Sequence, residues 1–271
     1  MPTPRIVPDL LRLLKRPNLD SSRIVHLLHP EPTLAAHVVR VANSAFYGGA
    51  PTEDLQEAVA RIGYQEAYRV VAAASGARLL GPEFAGYGIG PGELWRHSYV
   101  AGSAAQLMAA EVGLDENLAF TAGLVHDVGK ALLNPFLAKA KPNFAQDPAV
   151  PRTLVEAEKK ALGVDHCEMG GRLLERWSFP PEIVSAVWFH GAPKGAGADR
   201  KLAALVHLGN VVACLLGYAP GQMGLAVRGK SEAFAIVGLT AAELPRLTLA
   251  TFDHLQTPDA QSAMAVVSPA V

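Results

Sequence analysis

The chain reads as an all-α protein of two helical subdomains. Apolar residues recur at i, i+3 and i+4 through most of its length, the stripe of a helix with one face turned to a core. No stretch alternates apolar with polar as a half-buried strand does. Gly and Pro fall between the periodic segments, where they end helices and open turns.

The spacing predicts helices over 7–16, 21–29, 33–45, 54–62 and 65–80 in a first subdomain, residues 1–80. Asp20 or Ser21, and Asp54, stand where a side-chain oxygen can accept from the first free backbone N–H groups of a helix. Asn43-Ser44 reads as a helix C-terminal turn, with Asn in the left-handed conformation and Gly48-Gly49 releasing the chain, or else as a polar patch on a surface groove that receives a partner or ligand. Phe46-Tyr47 reads as packing, because no basic run accompanies it to form a base-stacking platform. Gly81–Gly92 holds five glycines and two prolines and predicts an exposed connection between subdomains. Helices are then expected over 92–111, 115–138, 152–161, 165–177, 181–190, 200–217 and 241–256, within a second subdomain spanning 93–256. Loops are expected at 139–151 and 191–199, and the tail 257–271 is expected to be mobile at its end.

Composition excludes several function classes. A chain of 271 residues that is 50% hydrophobic and 18% charged buries a large core. Lys plus Arg number 24 against 25 Asp plus Glu, a net charge of −1. That balance gives no field for a nucleic-acid backbone, so general nucleic-acid binding is not expected. Cys167 and Cys214 form no CxxC pair and read as thiols of a reducing compartment. The N-terminus lacks an apolar signal core, and no run of about 18 apolar residues suggests a membrane span. A cytoplasmic setting follows.

Nine histidines are present, and His26, His29, His37, His207 and His254 show how readily they scatter. Four others share inward faces. His97 lies in the stripe of Leu94, Ala101, Ala104 and Met108. His126 follows Ala119, Ala122 and Gly123, small residues that let helix backbones approach. His166 aligns with Gly170, Leu173 and Trp177, and His190 with Ile183, Ala186 and Val187 at the end of a helix opened by Pro180-Pro181. Convergence of these rings with Asp127 makes a metal site. Neutral imidazole with carboxylate suits divalent iron, manganese, zinc or nickel, and does not suit calcium. Glu93, one turn before His97, is either a further ligand or a carboxylate favoured by the helix dipole. Lys130 is either a point charge for a substrate phosphate or a solvated cation near a helix end.

The segment His126-Asp127-Val128-Gly129-Lys130 reads H-D-x-G-K, and two longer regions accompany it. They are Pro32–Gly48 with Glu57–Gly63, and about Trp95 to about Val212, including Gly170-Gly171-Arg172-Leu173-Leu174-Glu175-Arg176-Trp177-Ser178-Phe179-Pro180. Together they resemble the HDOD family, a non-enzymatic or degenerate branch of the HD metal-dependent phosphohydrolase superfamily, which also holds the HD-GYP cyclic di-GMP phosphodiesterases. The resemblance implies an HDOD-type helical bundle and a signal-transduction role. It also implies a late Asp closing the metal site, and Asn210 stands in that place. An amide there removes a full negative charge beside a divalent ion. The second His and the Gly-Tyr-Pro loop of the HD-GYP branch are absent, since Gly191-Ala192-Pro193-Lys194-Gly195 follows His190.

The function expected is therefore a signalling module that binds protein partners in trans or a ligand such as a nucleotide or cyclic dinucleotide, its metal pocket degenerate and not catalytic. The alternative is an active metal-dependent phosphohydrolase on nucleotides or cyclic dinucleotides, with Lys130 steadying the phosphate.

Overall fold

The computed structural model describes residues 5–140, 153–221 and 229–264. Among these the chain is helical, and extended backbone pairs only at an isolated antiparallel bridge between Phe84 and Ile89. The chain divides into two compact units: residues up to Arg78 together with those from Gln256 onward, and Leu79–Leu255.

The first unit contains α1 (Ile6–Leu14), α2 (Ser21–Leu28), α3 (Pro32–Ala42), α4 (Leu55–Ile62), most of α5 (Tyr64–Leu80) and α15 (Pro258–Met264). Caps set its helix starts. Asp20 accepts from Ser22 N at α2, Asp54 accepts from Gln56 N and Glu57 N at α4, and Pro32 opens α3 with a φ already suited to the first turn. The apolar stripes they deliver, among them Leu10, Leu11, Ile24, Leu28, Leu34, Val38 and Val59, are buried. Each such side chain stabilises the unit by about 1.5–3 kcal/mol relative to exposure.

The turn after α3 differs from its expected form. Asn43 has φ −91°, outside the left-handed region, and α3 stops at Ala42. Its amide instead clamps Thr52, donating Nδ2–H to Thr52 O at 2.8 Å and accepting from Thr52 N at 2.9 Å. Arg61 closes the same loop by donating to Ala42 O, Gly48 O and Ala50 O. The positive φ falls on Gly48 and Gly49, which bear it without steric cost. Tyr47 packs and donates to Asp259 Oδ2 at 3.1 Å, whereas Phe46 is 58% exposed, so packing holds for only one ring of that pair.

The second unit is built on α6 (Glu93–Glu111), which packs against α7 (Glu116–Val125), α12 (Arg200–Leu215) and α14 (Leu244–Leu255). Around them lie α8 (Gly129–Ala140), α9 (Leu154–Leu162), α10 (His166–Arg176), α11 (Pro181–Phe189) and α13 (Ser231–Val237). Glycine sets the closest approaches. A Cβ on Gly123 of α7 would stand 2.6 Å from Gly102 Cα of α6, and one on Gly209 of α12 would stand 2.4 Å from Ala101 O. Any side chain there would push α6 away from its neighbours.

Several expectations are corrected in this unit. The single helix expected over 115–138 is two, broken at residues 126–128. Gly81–Gly92 is no exposed connector: it carries a short 3-10 turn, Ala85–Tyr87, and buries Phe84, Tyr87 and Ile89. The loop expected at 191–199 contains 3-10 turns over Pro193–Asp199, and α13 had no counterpart in the periodicity reading. Part of the tail is ordered as α15, while its end lies outside the described residues, as does most of the loop expected at 139–151. Among the described residues no single helix is long and apolar enough to cross a membrane.

Candidate metal centre

The break between α7 and α8 places the centre. His126 caps α7, and Asp127 sits in the turn before Gly129 begins α8. A Cβ on Gly129 would fall 2.0 Å from His166 O and 2.6 Å from Gly170 N, so only glycine lets this turn lie against the first turn of α10. The H-D-x-G-K spacing thus has a mechanical reason. The glycine brings Asp127 and His166 together, and Asp127 Oδ1 lies 3.4 Å from His166 Nε2. The other carboxylate oxygen, Oδ2, lies 3.7 Å from His97 Nε2, 3.5 Å from His126 Nε2 and 2.6 Å from Lys130 Nζ.

Each ring is turned inward by a bond at its outer nitrogen. His97 Nδ1–H donates to Tyr218 O at 2.8 Å, His126 Nδ1–H to Gly123 O at 2.7 Å, and His190 Nδ1–H to Val187 O at 2.7 Å. His166 Nδ1–H donates to Glu158 Oε2 at 2.6 Å. A hydrogen bond made at Nδ1 turns Nε2 to the interior, the arrangement by which metal-binding imidazoles are oriented. Neighbouring rings stand 5.1–5.4 Å apart between centroids, from His97 through His126 and His190 to His166.

The electrostatics suit a cation. Burial pushes His97 and His126 down to about 4, which keeps both rings neutral near neutral pH. Burial opposes ionisation of Asp127, but His126, Lys130 and the other rings outweigh it and hold the carboxyl well below its usual range. Burial also opposes the charge on His166, and Cys167 and Glu158 reverse that, raising it well above the usual value. Among the described residues, His126 Nε2 and Asp127 Oδ1 are buried with no hydrogen-bond partner. Buried polar atoms are ordinarily paired, so an inward-facing lone pair and a carboxylate oxygen left open side by side fit a bound cation.

The sequence-derived set is therefore largely brought together: His97, His126, Asp127, His166 and His190 converge, all buried. Glu93 does not join them. It is exposed, and its Oε2 accepts from Gly90 N at 3.0 Å and Gly221 N at 3.4 Å, so the helix-start reading accounts for it. Lys130 is not a solvated cation. It is 6% exposed and bound to Asp127. The centre opens into a cavity of about 740 Å³ whose wall includes His97, Asp127, Lys130, His166, His190, Asn210 and Lys230.

Four contributors escaped the sequence reading. Glu158 is fully buried and accepts from Tyr87 OH at 2.7 Å, His166 N at 2.8 Å and His166 Nδ1. It lies in the charged run Glu156-Ala157-Glu158-Lys159-Lys160, which looks solvated, and only its place eight residues before His166 marks it. Tyr87 sits in the glycine-rich stretch taken for a connector. His207, counted among scattered histidines, donates to His190 O at 3.1 Å and accepts from Lys230 N at 3.2 Å. Cys167 stands 3.5 Å from His166 Nε2 and 3.6 Å from His190 Nε2.

Comparison with known proteins agrees with this architecture. The HDOD domain family model matches residues 1–193. A protein of Treponema pallidum (strain Nichols) is 23% identical over 188 residues, which are 67% of this chain and 36% of that protein. Ribonuclease Y of Sulfurovum sp. (strain NBC37-1) is 33% identical over 94 residues, 35% of this chain and 13% of the enzyme. The chain thus spans about a third or less of the length of these relatives. Among solved structures, a candidate phosphohydrolase of Shewanella amazonensis SB2B superposes with TM-score 0.68 at 22% identity, covering 98% of this chain and 94% of that one. An HDOD domain protein of Geobacter sulfurreducens gives 0.68 at 24% identity, covering 98% and 92%. These superpositions show a shared fold. With the family model spanning well over half of its residues, this chain belongs to the HDOD domain family.

Proposed function

We propose that the chain is a signalling module whose second unit binds a divalent transition metal and, in the adjoining cavity, an anionic ligand of the nucleotide or cyclic dinucleotide class, without turning it over. The observation that supports this most is the pair of buried, unpartnered atoms, His126 Nε2 and Asp127 Oδ1, inside a ring of inward-facing imidazoles. His97, His126, Asp127, His166 and His190 would hold the ion, drawn from iron, manganese, zinc or nickel. A bound divalent ion supplies positive charge and Lewis acidity to a phosphate oxygen. Lys130 and Lys230 add ammonium groups to the cavity wall. Glu158 and Tyr87 hold His166 in place, and Val187 and Gly123 fix the rings of His190 and His126 through their carbonyls.

The binding role is favoured over hydrolysis by Asn210. It lines the cavity where the family resemblance expects a carboxylate, and an amide cannot supply the missing charge to an ion or its bound water. A metal-dependent phosphohydrolase is the second reading, favoured by the completeness of the imidazole ring. Partner proteins reading the liganded state in trans, in a cytoplasm that keeps both thiols reduced, belong to the first reading.

The test is elemental analysis and calorimetry on the full chain after chelation. Manganese or zinc binds near one or two equivalents, His126→Ala abolishes manganese binding, and neither cyclic di-GMP nor common nucleotides release product with the metal-loaded protein. Product release dependent on His126 would establish the enzyme instead. Failure to bind any divalent transition ion would leave a scaffold without a metal centre.

A further inference from the structure

The imidazole ring divides into two groups of donors. His97, His126 and Asp127 bring their inward atoms within 4.8 Å of one another, and so do His166, Cys167 and His190. The first group is nitrogen and oxygen only. The second contains a sulfur that the H-D-x-G-K segment does not announce. Cys167 is 5% exposed at the start of α10, and its Sγ faces the two Nε2 atoms at 3.5 and 3.6 Å. Both Nε2 atoms are turned there, because Glu158 and the Val187 carbonyl hold the Nδ1–H groups on the far side. Asp127 stands between the groups. Its Oδ1, which has no hydrogen-bond partner among the described residues, lies 3.4 Å from His166 Nε2.

We propose that Cys167 is a metal ligand, and that His166, Cys167 and His190 form a thiolate-containing position for a thiophilic divalent ion, with Asp127 Oδ1 placed to close a fourth corner. Two nitrogens, one sulfur and one oxygen make a tetrahedral donor set suited to zinc or cobalt, whereas the group of His97, His126 and Asp127 suits manganese or iron. Binding displaces the proton that Cys167 Sγ and His166 Nε2 hold between them, forms the sulfur–metal and nitrogen–metal bonds, and releases that proton to solvent. This inference rests on the metal-binding reading above. It adds that the centre carries a soft position and a harder one, and that a single side chain sets the preference of the soft one.

Cobalt and zinc loading of the full chain tests it. Cobalt-loaded protein should show sulfur-to-cobalt charge-transfer absorption in the near ultraviolet. X-ray absorption at the zinc edge should show a sulfur neighbour at about 2.3 Å. Cys167→Ala and Cys167→Ser should remove both signatures and weaken zinc binding by about tenfold or more, with manganese binding little changed, while Cys214→Ala should retain everything. Circular dichroism of the two Cys167 variants separates ligand loss from misfolding, and the wild-type spectra need no variant at all. Cobalt or zinc bound through nitrogen and oxygen only would overturn the thiolate position and leave the metal-binding reading intact. Charge-transfer absorption that survives in Cys167→Ala would also overturn it. No binding of either ion to the wild-type chain would overturn both readings.

Discussion

Two polar clusters of this chain come from equally conspicuous sequence segments and have opposite characters. In the loop after α3, Asn43, Thr52, Glu57 and Arg61 bond one another and the loop backbone: Asn43 clamps Thr52, Thr52 Oγ1 donates to Glu57 Oε2 at 2.7 Å, and Arg61 donates to Glu57 Oε1 and to three carbonyls. In the centre between α7 and α10, the outer nitrogens are bonded, while His126 Nε2 and Asp127 Oδ1 face inward with no hydrogen-bond partner among the described residues. A network whose groups bond one another and the backbone holds a loop shut. One with its inward atoms orphaned and its outward atoms anchored is built for something that enters. The difference lies in which atoms have partners, and both segments look equally polar in the sequence.

The comparison is sharpened most by removing the anchor of the second cluster. Glu158→Ala strips the acceptor from three buried donors, and the chemical-denaturation midpoint should fall by the equivalent of about 3–5 kcal/mol. A loss below about 1 kcal/mol would show that the outer layer of the centre is not the rigid frame described.

Acidification of chelated, metal-free protein should have the next largest effect. The folded-state values of His97 and His126 lie at about 4 against an ordinary 6.5. Between those values the unfolded chain takes up protons that the buried rings refuse, so stability falls as pH drops through that window, by on the order of a few kcal/mol. His166 is raised, so its contribution is present below the ordinary value and fades on the alkaline side, offsetting part of the loss only near the upper end. Thermal denaturation at stepped pH measures this. A midpoint flat from pH 6.5 to 4 would mean that these two rings are not buried neutral.

Asn43→Ala should cost about 2 kcal/mol, from two lost hydrogen bonds and the Thr52 backbone groups left behind. Metal affinity should not move. A variant that loses metal binding without losing the fold would break the contrast between the clusters. The smallest expected effect is at the cavity wall. Asn210→Asp should raise affinity for manganese or zinc about tenfold, or about 1.4 kcal/mol, by restoring a charge near the ion. Calorimetry showing no gain would mean that Asn210 lines the cavity without facing the centre.

Much of this was legible beforehand because it depends on local repeats. The inward stripe of Leu94, His97, Ala101, Ala104 and Met108 is buried throughout, as 3.6-residue periodicity requires. Asp20 and Asp54 cap the helices they precede. Periodicity failed where it meets a turn with no punctuation: residues 126–128 carry no Pro, and the apolar stripe passes through them, so two helices read as one. It failed again at Gly81–Gly92, where a glycine-rich composition hid Phe84, Tyr87 and Ile89 in the core.

The sequence by itself determined the helical class, the inward faces of four histidines and the carboxylate beside one of them, because each is a matter of residue type at helical spacing. Only the tertiary structure decided that Glu93 serves its own helix start, that Lys130 is buried against Asp127, and that Glu158, Cys167 and His207 belong to the centre. Those outcomes depend on burial and on contacts such as Tyr87–Glu158, Gly221–Glu93 and His207–His190, which join segments apart in the chain. Gly129 shows the physical reason. The space its missing side chain leaves against His166 O has no meaning until α10 arrives there.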